Sequence, residues 1–210
     1  MRQHVKAVLG VVRRRPTISR YLDAHDARKL HLGAGENVLP GWLNTDLHDY
    51  GRRDLAYLDV RKRFPLPDES FDVVFSEHML EHLTYAEGQH CLRECRRVLR
   101  SGGRVRIATP SLERLARLYG GGGLQERYVR WAVETLAPEL EAPLPGAVVN
   151  NFFRSWGHHF IYDPQTLRHA LEAAGFVDVA EGAVGELEGH LTEEPELNRY
   201  ETIVLEARRP

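Results

Sequence analysis

The segment KLHLGAGENVLPGWLNTD, residues 29–46, limits this chain more than any other stretch. A short apolar strand with Leu30 and Leu32 runs into a Gly-Ala-Gly turn, and a second extended piece ends on Asp46. Glycines at Gly33 and Gly35 let the backbone approach a ligand where a β-carbon would collide. In an open parallel sheet, ligands lie beyond the carboxyl ends of the strands, where a carboxylate can accept both hydroxyls of a ribose. The stretch therefore reads as half of a nucleoside pocket. The same residues also fit a tight turn in any α/β protein, with Asp46 merely solvated. A dinucleotide fold fits less well. Val38 stands where G-x-G-x-x-G needs its third glycine, and Asp46 arrives sooner than the ~20 residues that fingerprint expects. Pro40 and Gly41 leave little room for a helix between the two strands.

The remaining pattern alternates strand and helix. Val5–Val12 and Ile18–Leu22 predict short helices within an N-terminal helical segment, residues 1–28. Asp54–Val60 predicts a third strand closing on Asp59, and the β-branched and aromatic run Phe71–Ser76 a buried fourth. Helical spacing follows through Cys91, Leu92, Cys95, Val98 and Leu99, and Gly102-Gly103 stops it. Arg104–Ala108 reads as strand five. Alternation of this kind implies a parallel, doubly wound sheet. After Pro110-Ser111 come a helix (Leu112, Leu115, Tyr119), a glycine run at 120–123, a helix over Leu124–Leu140 and a Pro-rich link. Residues of about 120–160 are the expected lid, with a glycine hinge, aromatic side chains and paired histidines. Asp163 and Pro164 supply an N-cap and first position for a helix with Leu167, Ala170, Leu171 and Ala174 on its apolar face, ended by Gly175. Phe176–Val179 and Tyr200–Ala207 are the last strands, with a long acidic link between them. No internal repeat is present.

At 210 residues the chain suits one domain with a sizeable core. Its 28 basic and 30 acidic residues leave no overall footprint for nucleic acid. Arg93, Arg96, Arg97 and Arg100 lie on one predicted helix and read as a solvated face. Cys91 and Cys95, four apart, read as half-buried apolar side chains in a reducing compartment. No apolar run reaches the ~18 residues of a membrane span and the first residues lack a cleavage signal, so a cytoplasmic protein is expected.

Four pieces in order resemble the class I S-adenosylmethionine-dependent methyltransferases, and within them the short type-11-like proteins. These are HLGAGE, the strand-end carboxylates Asp46 and Asp59, LPDESFDVVFSEHMLEHL, and RVLRSGGRVRIATPS with a late helix ending AAGF. The resemblance spans Lys29 to Ala207. It implies an α/β, doubly wound, Rossmann-like sheet of seven mostly parallel strands with an antiparallel last strand, helices on both faces and a small insertion after strand five. It also implies S-adenosyl-L-methionine as cofactor. Carried over by position, Gly33, Ala34 and Gly35 form the turn under the cofactor's methionine and ribose. Asp46 holds the ribose diol and Leu47 lies against the adenine. Asp59 accepts from the adenine amino group, Val60 offers its amide, and Ser76, Glu77 and His78 line the methionine side. Two positions depart from the family pattern: His31 stands where an acidic residue is usual, and Asn37 where a third glycine is.

His78-Met79-Leu80-Glu81-His82 also matches H-x-x-E-H, the inverted zinc-protease pattern. On a helix it would put His78 and His82 on one face for zinc, with a further carboxylate from Glu134–Glu141. In the methyltransferase reading the same residues begin the helix after strand four, and no metal is expected. Methyl transfer from a sulfonium needs alignment of the nucleophile and exclusion of water. A general base helps only where the nucleophile must lose a proton. His158 and His159, in the expected lid, are the candidates for that base. The expected acceptor is a small molecule or glycan-like, methylated on oxygen or nitrogen, with no nucleic acid, and a homodimer is a further expectation. A cofactor-binding module without catalysis is the third reading.

Overall fold

A computed structural model of the chain describes residues 14–48, 50, 52, 54–140, 142–183, 197 and 199–210. Helix α1 covers 14–24; the helix expected at Val5–Val12 and the acidic link over 184–196 lie outside the described residues. Strand β1 (Lys29–Leu32) is followed by β2 (Leu43–Asp46), a two-residue β3 (Ala56–Tyr57) and β4 (Phe71–Glu77). Helix α2 (Tyr85–Val98) leads into the long β5 (Leu99–Pro110). Four helices then intervene: α3 (Leu112–Arg117), α4 (Gly123–Leu136), α5 (Pro145–Arg154) and α6 (Pro164–Ala173). The chain closes with β6 (Val177–Glu181) and β7 (Thr202–Arg208).

The seven strands form one sheet in the order β3-β2-β1-β4-β5-β7-β6. Pairings through β5 are parallel, and β7 runs antiparallel to both β5 and β6. This is the topology that the sequence resemblance implies. The chain reverses direction across the sheet at β1 and β4, which sit side by side in the middle, so their carboxyl ends open on one crevice. Residues 33–42 contain no helix. In its place Leu39 and Trp42 pack on Phe75, covering the sheet face opposite to the main core.

Successive residues of β4 point to opposite faces, so Val74 joins the main core while Phe75 meets that loop. The main core draws Ile18 and Tyr21 from α1, Cys91, Leu92 and Cys95 from α2, and Leu167, Ala170 and Leu171 from α6 onto the strands. Both cysteines are free and almost fully buried, deeper than the half-burial expected of them. The arginines of α2 depart further from expectation. Arg97 bonds Glu94, Asp68 and the carbonyls of Phe64 and Leu66. Arg96 donates to the carbonyl of Gly175, and Arg100 pairs with Asp72. They tie the helix to its surroundings instead of facing solvent, and Arg93 alone of the four is exposed.

A second apolar cluster lies within the segment between β5 and α6. Leu115 and Leu118, Tyr128, Val129, Ala132 and Val133 of α4, and Val148 and Phe152 of α5 pack together with Ile161 and Tyr200. These helices therefore have a core of their own beside the sheet's. Among the described residues no helix is long and apolar enough to cross a membrane.

Candidate active site

The glycine turn is held from β2. The amide of Ala34 donates to the carbonyl of Thr45 (3.0 Å), Thr45 Oγ1 donates to the carbonyl of His31 (2.8 Å), and the amide of Gly35 donates to Asp46 Oδ2 (3.0 Å). His31 is buried with its Nδ1 3.1 Å from Asn44 Oδ1, so its ring serves the 36–44 loop. The turn itself is bonded by the Thr45 carbonyl and by Asp46. The other Asp46 oxygen accepts from the amide of His48 (2.8 Å). A carboxylate offers about four lone-pair sites, so capacity remains for two hydroxyls.

Gly33 and Gly35 both have positive φ, at 66° and 53°. A β-carbon on Gly33 would stand 2.4 Å from Met79 Cγ, so the turn is pressed against the residue that leaves β4. A β-carbon on Gly35 would meet nothing within 4 Å, because that residue borders open space. The space is a cavity of about 500 Å³. Of the residues expected to hold the cofactor, Gly33, Gly35, Asp46, Leu47, Asp59, Val60 and His78 line it. Ala34 is 3% exposed and contributes backbone only. Ser76 is fully buried within the sheet, and Glu77 turns to Arg199 (3.5 Å), so neither is part of the wall.

Asp59 is not free at the cavity edge. Arg61 grips it through Nε (2.8 Å) and Nη2 (3.0 Å) and also donates its amide. Burial alone would push the Asp59 carboxyl up, but hydrogen bonds and charge from Arg61 outweigh it and hold the carboxyl below its ordinary range. Arg61 itself lines the cavity, as do Tyr50, Met79, Leu83 and Trp156, none of them singled out by the sequence reading. Arg61 was legible as a cation two residues past a strand-end carboxylate. Trp156 was not, because it reaches the slot from the far end of α5.

HMLEH does not begin a helix. Leu80–His82 is a single 3-10 turn, and α2 starts at Tyr85, with Thr84 and Glu87 forming a capping box. The T-x-x-E spacing of that box was present in the sequence and marks the true start. His78 has φ 47°, and its ring lies between Glu81 Oε1 (3.2 Å from Nδ1) and Thr202 Oγ1 (3.1 Å from Nε2). The common helix face that the zinc-hydrolase reading requires of His78 and His82 is therefore absent. Burial pushes the imidazole of His78 down, yet the Glu81 carboxylate more than offsets it and holds the imidazole above its ordinary pKa. Glu81 is fully buried; burial pushes it up and His78 brings it below the usual carboxylate value. Its Oε2 accepts from Thr109 Oγ1 (3.0 Å).

A second cavity of about 230 Å³ adjoins the first and shares His78, His82 and Trp156 with it. Its remaining wall is Glu81, Trp131, Leu136, Phe152, His158, Arg199 and Glu201. Backbone bonds from His159 and Phe160 to the carbonyl of Glu81 (2.8 and 3.1 Å) stitch the segment after α5 to the 3-10 turn. They bring the His158 and His82 rings to 4.9 Å. The Nδ1 of His158 lies 2.7 Å from the carbonyl of Phe152, which can only accept, so Nδ1 carries the hydrogen and Nε2 the lone pair. Burial keeps this imidazole below the ordinary histidine pKa and hence neutral at pH 7. His159 is exposed and lines neither cavity. Tyr50, His78 and Trp156 are non-glycine residues with positive φ, and all three border the larger cavity. Backbone strain gathered at one site is a mark of function.

A methyltransferase-domain family model matches residues 38–107, from the loop after the glycine turn through most of β5. Over those residues the chain is similar to the methyltransferase-domain family, in agreement with the sequence resemblance. Similar solved structures agree in fold. A SAM-dependent methyltransferase from Archaeoglobus fulgidus is 19% identical with a TM-score of 0.51, the match covering 94% of this chain and 93% of that one. A putative methyltransferase from Haloferax volcanii, solved with its Trm112 activator, is 16% identical with a TM-score of 0.51, covering 94% and 91%. The CurJ carbon methyltransferase is 17% identical with a TM-score of 0.50; the match covers 87% of this chain and 48% of that one, so this chain spans about half the length of that protein. The cofactor that the sequence resemblance implies is S-adenosylmethionine. The cavity fits that cofactor on two local observations: a side chain at Gly35 would stand at the edge of the slot, and Asp46 keeps acceptor capacity there.

Proposed function

We propose that the enzyme methylates a hydroxyl or amine of a small-molecule or sugar-like acceptor that sits in the smaller cavity while the cofactor occupies the larger one. The observation that carries this is the junction: His78, His82 and Trp156 belong to both walls, so two ligands of those sizes would meet there. When bound, S-adenosylmethionine supplies a methyl group on a sulfonium; the acceptor's lone pair forms the new bond as the carbon–sulfur bond breaks, and its electron pair stays on sulfur.

Asp46 takes the ribose diol with its spare lone pairs, and the 33–35 turn lies under the ribose and methionine. Val60 offers its amide at the adenine end. Asp59 serves the adenine amino group only by sharing its carboxylate with Arg61. Trp131, Phe152 and Trp156 wall the acceptor cavity with rings, which suits a flat or ring-shaped acceptor and helps exclude water. The helices over 112–154 form the acceptor cap. For a hydroxyl acceptor, His158 is the base: its Nε2 lone pair is free and its imidazole neutral. His159 has no such position.

The test is calorimetric titration with S-adenosylhomocysteine, followed by turnover on a panel of phenols, sugars and amines. Binding at one site together with turnover of a panel member supports the reading. Binding without turnover of any acceptor favours a non-catalytic module.

A further inference from the structure

We propose that Glu81, His82 and His158 hold a divalent transition-metal cation at the junction of the two cavities. The proposal rests on the acceptor-cavity reading above and deepens it, because such a cation would face the acceptor and not the adenosine.

One ligand atom from each of these residues lies within 4.8 Å of the other two. Around a tetrahedral ion with bonds of about 2.0–2.2 Å, ligand atoms stand roughly 3.4 Å apart. Side-chain rotation closes that gap. The backbone needs no rearrangement, since His159 and Phe160 already fasten the His158 segment to the carbonyl of Glu81. The ligands come from the 3-10 turn and from the chain after α5, and not from one helix as H-x-x-E-H suggests.

Ligating histidines characteristically donate their other ring N–H to a carbonyl or carboxylate, and ligating carboxylates are themselves hydrogen-bonded. His158 and Glu81 meet these conditions. His158 donates from Nδ1 to the carbonyl of Phe152, leaving Nε2 outward. Thr109 and His78 hold the two oxygens of Glu81. His78 is the orienting partner and not a ligand, because its two nitrogens face Glu81 and Thr202.

Glu201 lines the same cavity and is 4% exposed, with His78 Nε2 3.9 Å from its Oε1 and Arg199 in the same wall, so it stands beside the proposed ligands as a partner of His78 and not as one of them. Two imidazoles with one carboxylate favour zinc, manganese, cobalt or iron over magnesium and calcium, which prefer oxygen-only sets.

Such a cation would lower the pKa of an acceptor hydroxyl at the junction. The hydroxyl proton leaves to solvent, the oxygen lone pair forms the bond to the methyl carbon, and sulfur keeps the pair from the broken carbon–sulfur bond. In the loaded enzyme His158 is then a ligand, and its role as a base belongs to the metal-free protein.

The test uses the full chain, purified without a histidine tag and stripped with chelator. It is titrated with Mn²⁺ by calorimetry and with Co²⁺ by visible absorption, and separately with S-adenosylhomocysteine. One cation per chain is expected, with ligand-field bands for Co²⁺. His82→Ala and His158→Ala should each weaken binding at least tenfold, and His159→Ala should leave it unchanged. His82 is exposed, so its variant is expected to fold, and circular dichroism checks both. No saturable binding, or equal binding in the parent and His82→Ala, overturns the proposal. If S-adenosylhomocysteine binds and the cations do not, the proposed function stands and the metal site falls. If the cations bind through these residues and S-adenosylhomocysteine does not, the metal site stands and the cofactor reading falls.

Discussion

Gly33 and Met79 are in such close contact that a methyl group on the glycine would lie 2.4 Å from Met79 Cγ and 2.6 Å from its Cβ. The turn after β1 is thereby locked to the first residues after β4, which is how one edge of the larger cavity is fixed. Gly33→Ala adds left-handed backbone strain to that collision and is expected to cost about 2 kcal/mol or more of stability. Gly35→Ala meets no neighbour, so strain of about 1 kcal/mol is its main cost. Its β-carbon stands at the slot, however, and cofactor affinity should fall. Urea denaturation and titration with S-adenosylhomocysteine, run on both variants, separate the two effects.

Glu81 is fully buried and relies on His78 and Thr109. Removing one partner of a buried pair leaves the other charge uncompensated. His78→Ala is expected to destabilise the fold by about 3 kcal/mol, the low end of the range for such losses, because His78 is 27% exposed. The pH dependence follows from the raised pKa of His78. Its contribution is complete below the unfolded histidine value near ~6.5 and is lost as pH rises through the higher folded value. The stability difference between parent and variant should therefore shrink toward alkaline pH in denaturant titrations.

Glu94 behaves in the opposite sense. It accepts from the amide of Phe64 (2.7 Å) and from Arg97 (2.6 and 2.9 Å). Burial pushes its carboxyl up, and these bonds outweigh burial and hold it below the ordinary value. The stability it contributes is present above the unfolded carboxylate pKa of about 4.3 and is lost as pH falls through the lower folded value. Denaturant curves from pH 6 to 3 should fall more steeply for the parent than for Glu94→Gln.

Much of the slot could be read from residues close in sequence. The Gly-Ala-Gly turn, Asp46 closing β2 and the β-branched run of β4 each state their own geometry, and the parallel order follows from their alternation. The turn's anchorage was not legible, because His31 gave no sign that Thr45 and Asp46 would replace the usual acidic residue. The 3-10 turn at HMLEH was missed by following the helical period of α2 backward past Thr84. The smaller cavity depends on contacts across great sequence separation. Glu201 and Arg199 come from beside β7, and Trp156 and His158 from beyond α5. No local pattern announces such neighbours. The lock of Arg61 on Asp59 lay in plain view but required knowing that the side chain folds back.

The proposed function requires a nucleoside slot at the carboxyl ends of β1 and β2, with Asp46 as its ribose anchor. The most direct measurement is calorimetric titration of S-adenosylhomocysteine into the parent and into Asp46→Ala. Hydrogen bonds to a charged group contribute about 1.5–3 kcal/mol, so affinity in the variant should fall by roughly 10–100-fold with the fold intact by circular dichroism. Equal affinity in the two proteins would contradict the account.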